Sequence, residues 1–269
     1  MWDAGQYLRY GGERSRPFFD LIAQVGATDP KYVADLGCGP GNLTKALARR
    51  WPDAEVVGVD NSPEMIAAAI ETAAGTAAPA DSGTGRLTFQ LGDVWGWRPA
   101  RPVDVLVCNA VLQWVPGHQE LLLNWSDLLA PGGWLAFQLP GNFDQPSHAI
   151  LAELAGSPRW RPLLSAVRLN RQAGDPADYV ELLARPGYQV DAWETSYLHI
   201  LPGPDAVLEW TKGTTLRPVL AALDSEQAAA FIAEYADRLR QVYTPRPFGT
   251  VFPFRRVFTV VNRLSAQPI

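Results

Sequence analysis

An α/β fold, one mixed sheet of seven strands with helical insertions capping it, follows from three features of the sequence. Between Tyr32 and Pro140 short apolar runs alternate with helix-patterned stretches, the rhythm of βαβ units around a parallel sheet. Two further β-alternating segments, 189–201 and 251–263, interrupt the helix-like stretches of the second part of the chain. The first apolar run ends in three alternating glycines that open a helix, which puts a ligand-approach turn at the carboxyl edge of the sheet.

Taken in order, strands are expected at 33–36, 55–59, 87–91, 104–109 and 134–139, each a short β-branched or aromatic run. Helices are expected at 43–50, closed by Pro52, and at 63–72, where Ser62 caps and Pro63 takes the first position. A third helix is expected at 119–129, stopped by Pro131-Gly132-Gly133. The Ala-, Thr-, Ser- and Pro-rich stretch 75–85 reads as a surface loop. Beyond Gly141 the rhythm changes, and 142–175 mixes Pro, Ser and Arg with short apolar patches. Helix-like stretches follow at 177–184, 206–210 and 225–241, the last opened by Asp224-Ser225-Glu226 as a cap with early acids. Tyr197 and His199 lie on the alternating face of the sixth strand, and Phe252, Phe254 and Phe258 lie on the seventh. The chain therefore divides into 1–30, an N-terminal lid or helical segment; 31–141, an α/β core; and 142–269, cap insertions plus the last two strands, all within a single domain.

Composition narrows the function. With 47% apolar and 19% charged residues the chain can bury a sizeable core. Against 28 acidic side chains stand 23 basic ones, of which 3 are lysine, so the clustered positive charge that nucleic-acid backbones require is missing. Residues 1–145 carry 16 acids and 10 bases, residues 146–269 carry 12 and 13, and the arginine bias of the second part is compatible with an anionic ligand. No run approaches the roughly 18 apolar residues of a membrane span, and the start lacks the apolar stretch of a signal peptide. A soluble, cytoplasmic protein is expected, with no membrane partner. Two cysteines, Cys38 and Cys108, cannot make a disulfide framework, and His118, His148 and His199 have no metal-ligand spacing, so no metal is expected.

The informative motif is Val33-Ala34-Asp35-Leu36-Gly37-Cys38-Gly39-Pro40-Gly41. Glycine permits positive φ and close approach of a ligand to the backbone, and the following helix start offers free N–H donors. A triphosphate loop would need Gly-Lys-Ser/Thr, which this chain lacks. The dinucleotide fingerprint needs a small residue where Asn42 stands. Asp60 ends the second strand, 21 residues after Gly39, where a carboxylate can accept both hydroxyl protons of a ribose. Asp93 ends the third strand and Asn109 the fourth; both lie at the ligand edge, and both are also loop-capping types. Cys38 reads as a small turn residue, since no histidine neighbours it in sequence.

Asp35-Leu36-Gly37-Cys38-Gly39-Pro40-Gly41, Val57-Gly58-Val59-Asp60-Asn61-Ser62-Pro63-Glu64-Met65, Gly92-Asp93, Asn109-Ala110-Val111-Leu112-Gln113-Trp114 and Leu129-Ala130-Pro131-Gly132-Gly133-Trp134 together resemble the class I S-adenosylmethionine-dependent methyltransferases. The resemblance implies a Rossmann-like fold with S-adenosyl-L-methionine as cofactor and S-adenosyl-L-homocysteine as product. It implies that Gly37, Gly39 and Gly41 line the methionine portion and that Asp60, with Asn61 beside it, holds the ribose. Asp93 would meet the adenine amino group, Val94 would pack on the ring, and Asn109 would lie near the amino-acid portion.

A second similarity runs nearly end to end. Tyr7-Leu8-Arg9-Tyr10, Arg14-Ser15-Arg16-Pro17, Leu112-Gln113-Trp114-Val115, Gln138-Leu139-Pro140-Gly141-Asn142-Phe143, Pro146-Ser147-His148, Tyr197-Leu198-His199 and Phe252-Pro253-Phe254-Arg255-Arg256 are similar to the trans-aconitate methyltransferases. That family esterifies one carboxylate of a small tricarboxylic acid. The chemistry agrees, because a carboxylate with pKa about 4 is ionised at neutral pH and needs no general base. Arginine suits bidentate carboxylate recognition. Arg14 and Arg255 are accordingly expected at substrate carboxylates, Tyr10, His148, Tyr197 and His199 as polar contacts, and Trp114 as an aromatic wall. Positioning by Tyr10, Arg14 and Trp114 stands in place of a catalytic acid or base. A buried Trp114 in the core and a structural His199 are the competing readings.

The N-terminal 16 residues are expected to act as a mobile lid without a regular element of their own, completed by 142–185. A small-molecule carboxylate is the expected partner, and a monomer is compatible with every motif. Two alternatives remain open: a related small-molecule methyltransferase acting on another acid, carbon or nitrogen, and a cofactor-binding module without turnover.

Overall fold

The computed structural model describes residues 11–74, 86–167, 169 and 173–265. The loop expected at 75–85 and lid residues 1–10, Tyr10 among them, lie outside the described residues. Seven strands form one mixed sheet in the order β3-β2-β1-β4-β5-β7-β6. The parallel part is built from β1 (Tyr32–Leu36), β2 (Glu55–Asp60), β3 (Leu87–Leu91), β4 (Val103–Asn109) and β5 (Leu129–Pro140). β1 pairs on both sides, with β2 and β4, and is buried at every residue, which is why it reads as an unbroken apolar run. β3 lies at the sheet edge, and Leu91 there is exposed.

Between these strands lie α2 (Asn42–Arg50), α3 (Pro63–Ala74) and α4 (His118–Asp127), preceded by α1 (Gly11–Ala23). Two expectations are corrected here. The segment 11–16 is helical, the first turns of α1, rather than lacking a regular element. The helix expected at 119–129 ends at Asp127, and Pro131-Gly132-Gly133 lies inside β5. The cause is a bulge: the β4–β5 register shifts between Val103 and Val105, and Gly132 takes φ +81°. A Cβ on Gly133 would stand 2.8 Å from the carbonyl oxygens of both Ala130 and Val103, so only glycine lets the two backbones close there.

The segment 142–175, which the sequence leaves irregular, holds α5 (Pro146–Gly156) and α6 (Arg161–Leu164). Then come α7 (Pro176–Leu183), β6 (Tyr188–Leu201), α8 (Ala206–Lys212), α9 (Arg217–Ala221), α10 (Ser225–Val242) and β7 (Thr250–Arg263). Asp224 caps α10 as expected, accepting the Gln227 N–H at 2.8 Å while Gln227 Oε1 accepts the Asp224 N–H.

The chain forms two compact units interleaved in sequence. The sheet unit comprises Arg14–Leu139, Gly174–Glu194 and Val257–Ile269; the helical unit comprises Met1–Glu13, Pro140–Ala173 and Thr195–Arg256. β6 and β7 each pass from one to the other. The sheet unit is filled by Leu36, Leu47, Val105, Leu122, Trp125 and Phe137. The helical unit has its own core, in which Trp160 meets Phe231 edge to face at 5.1 Å and Tyr235, Leu239 and Phe252 are buried. Its buried Tyr235 hydroxyl donates to the Ser147 carbonyl at 2.8 Å. No helix among the described residues is long and apolar enough to cross a membrane.

Candidate active site

The carboxyl ends of β1 to β5 bring together the residues that the sequence singles out in the sheet unit. β1 runs into Gly37, whose N–H and that of Cys38 both donate to the Val59 carbonyl at 2.7 and 3.0 Å. These two hydrogen bonds to one carbonyl fold the loop onto the end of β2. Gly37, Gly39 and Gly41 take φ of +77°, +55° and +75°, a region costly for other residues. Their reasons differ. A Cβ on Gly37 would lie 2.1 Å from Val111 Cγ2, and one on Gly41 2.6 Å from the Phe89 ring, so both serve packing. Among the described residues nothing lies within 4 Å of a Cβ on Gly39, which leaves that face open to a ligand.

Asp60 closes the other side of the loop. Its Oδ2 accepts the Gly39 N–H and its Oδ1 the Ser62 N–H, each at 2.9 Å. Each oxygen keeps a further lone pair, so the carboxylate is oriented yet can still accept two hydroxyl protons. Asn61 beside it is exposed. Lys45, the lysine of α2, donates Nζ to the Thr72 carbonyl at 2.7 Å rather than into the loop.

Beneath the loop lies a residue that the sequence reading passed over. Asp35 is buried at the end of β1 and accepts the Thr44 hydroxyl at 2.6 Å, tying the strand to the first turn of α2 across all three glycines. Burial pushes its carboxyl up to about 6, against the Thr44 hydrogen bond and helped by the Asp60 charge. Its signal was available: a carboxylate inside an otherwise apolar strand is rarely buried without a task. Burial first, then the charges of Asp35 and Asp60, also push the Cys38 thiol up, so no thiolate is available there.

At the end of β4, Asn109 Oδ1 accepts from Nε2 of the fully buried Gln138 at 2.6 Å, a cross-strand pair that fixes its amide. Ala110 follows with φ +58°, and its N–H donates to the Gln138 carbonyl at 2.9 Å. That strained turn carries Val111 against Gly37. Gln138 is a further site-supporting residue visible only as a polar break in the apolar run of β5. Asp93 caps its own turn, Oδ1 accepting the Trp95 N–H at 2.8 Å, and Val94 is buried behind it. Trp114 is 44% exposed after β4, on a short 3-10 turn Leu112–Trp114, so it is not a core residue.

Within the helical unit, His148 on α5 meets Thr215 Oγ1 at 3.1 Å through Nε2 and Ser147 Oγ at 3.2 Å through Nδ1. Tyr197 and His199 are buried in an aromatic stack: their rings lie parallel at 6.2 Å, and His199 stacks on Trp210 at 5.0 Å. Arg255 donates Nη1 to the Gly141 carbonyl at 3.1 Å. Its neighbour Arg256 is the more buried of the two, over the Phe254 ring at 4.7 Å. Arg14 lies on α1, its side chain outside the described residues. Among the described residues no group of three or more His, Cys, Asp or Glu side chains is placed to hold a metal.

Comparison with known proteins agrees with this geometry. A family model described as a methyltransferase domain matches residues 33–133. The chain is similar to the trans-aconitate 2-methyltransferase of Streptomyces avermitilis, 53% identical over 265 residues and 97% of each chain. It is likewise similar to that of Mycobacterium sp. strain KMS, 51% identical over 97% of this chain and 99% of the relative. The crystal structure of the YcgJ protein from Bacillus subtilis shares the fold, with a TM-score of 0.56 over 93% of this chain and 99% of the other, at 15% identity.

Proposed function

The chain belongs to the trans-aconitate 2-methyltransferase family, and from that premise we propose that it transfers a methyl group from S-adenosylmethionine to one carboxylate of trans-aconitate, leaving a monomethyl ester and S-adenosylhomocysteine. The observation that carries this reading is the extent of the identity. It covers 97% of the chain, whereas the general methyltransferase match stops at residue 133, so the helical unit is shared with the named relatives as well.

The residues present fit the cofactor. Among the described residues Gly39 presents an open backbone face, Asp60 offers two spare lone pairs for a diol, and Lys45 is turned away from the loop rather than aimed at a phosphate. The acidic surroundings of Asp35 and Asp60 suit a cationic ligand. When bound, S-adenosylmethionine supplies a methyl group already activated by the positive charge on sulfur. What remains for the chain is to bind, align and exclude water. In this reading Gly37, Gly39 and Gly41 pass the methionine portion, Asp60 and Asn61 hold the sugar, Asp93 and Val94 receive the adenine, and Asn109 orients the amino-acid end. Arg14 and Arg255 offset the charge of the acid, with Tyr10, His148, Tyr197 and His199 as polar contacts and Trp114 as a wall. The accepting oxygen is ionised before it binds, so no side chain need remove a proton.

The test is incubation with methyl-labelled S-adenosylmethionine and a panel of di- and tricarboxylates. Label should enter trans-aconitate and be released as methanol by mild alkali. Alkali-stable label, or none in any acid, would overturn the reading.

A further inference from the structure

We propose that Asn142 orients the carboxylate that receives the methyl group. The proposal rests on the trans-aconitate reading above. Asn142 is 0% exposed, yet among the described residues neither Oδ1 nor Nδ2 has a hydrogen-bond partner. Its backbone carbonyl and the residue before it, by contrast, are engaged. The carbonyl accepts the Gln145 N–H at 3.1 Å, and the preceding Gly141 is clamped to β7, its N–H donating to the Arg255 carbonyl at 3.0 Å and its carbonyl accepting Arg255 Nη1 at 3.1 Å. A rigid backbone thus holds out a buried amide with nothing to bind. Native proteins keep such a group when a ligand completes it, because a buried unpaired amide is otherwise costly. Its place agrees: Asn142 comes two residues after the carboxyl end of β5, and strand carboxyl ends are where α/β sheets take ligands.

The chemistry favours an amide for this role. A guanidinium on the accepting oxygen would draw its charge away, whereas a neutral N–H makes a weaker bond and leaves a lone pair for attack. Nδ2 donates to the carboxylate while Oδ1 takes a water that enters with the acid. The carboxylate oxygen forms its bond to the methyl carbon as the carbon–sulfur bond breaks, the electron pair staying on sulfur, and no proton moves.

The experiment compares wild type with Asn142→Leu and Asn142→Ser. Measured are kcat and KM for trans-aconitate, binding of the acid to the S-adenosylhomocysteine complex by calorimetry, and the thermal midpoint. Asn142→Leu should keep cofactor affinity and melt no lower than wild type, yet lose about 10- to 100-fold in kcat/KM and in acid affinity. Asn142→Ser, with one short donor, should fall between. If folded variants keep wild-type kcat/KM and acid affinity, the proposal is wrong. A wild-type enzyme that fails to methylate trans-aconitate would instead sink the reading beneath it.

Discussion

The position of Asp60 was legible because an apolar run ends there, beside the glycine loop. The structure adds that its two oxygens are pre-set by the Gly39 and Ser62 amides. Asp35 was not read, because a single buried acid in an apolar strand resembles an exception until its Thr44 partner is seen nine residues away. It also makes a pH prediction. Its carboxyl lies at about 6 in the fold, above the ordinary value near 4 of the unfolded chain, so the folded state binds a proton that the unfolded state releases. Its contribution to stability therefore falls as pH rises from about 4 to 6 and stays lost above, a cost on the order of 3 kcal/mol. Asp35→Asn, which keeps an acceptor for Thr44, should flatten the stability curve over that window and raise the thermal midpoint at pH 7.5. An unchanged slope with a lower midpoint would show that the carboxylate is not held at a cost. The same scale explains why Tyr197 and His199 were only half legible. Alternation placed them on one strand face, but the stack of His199 on Trp210 depends on how the next helix, α8, folds back on that face.

Elements with one dominant cause were read closely. β1 and β2 are apolar because both faces are covered, and α10 announces itself through Asp224. Asp224→Ala should cost about 1 kcal/mol, seen as a lower urea midpoint with unchanged slope. No loss would mean that the cap is idle. α5 went unread because its inward positions include Ser147, whose N–H donates to the Tyr243 hydroxyl and whose carbonyl accepts from Tyr235. A polar residue at a core position breaks the apolar period that marks a helix. The bulge in β5 was misread for a related reason. Pro-Gly-Gly is turn chemistry in sequence, and only the close approach of Val103 makes it strand.

For the molecule as a whole, the seven-stranded mixed sheet followed from the βαβ rhythm and the two late β-alternating segments, while the two interleaved units did not. Two of the unit boundaries fall inside β6 and β7, at 194 and 256, where no change of composition marks them. Three acids of the acidic first part of the chain, Asp35, Asp60 and Asp93, stand at or just beyond strand ends. The central claim is that the glycine loop and Asp60 together hold the cofactor's nucleoside. Calorimetric titration of S-adenosylhomocysteine into wild type and Asp60→Asn tests it most directly, since the amide can still accept one backbone N–H but no longer a full diol. Binding should weaken by about tenfold or more with the thermal midpoint nearly unmoved. Equal affinity in the two proteins would contradict the account.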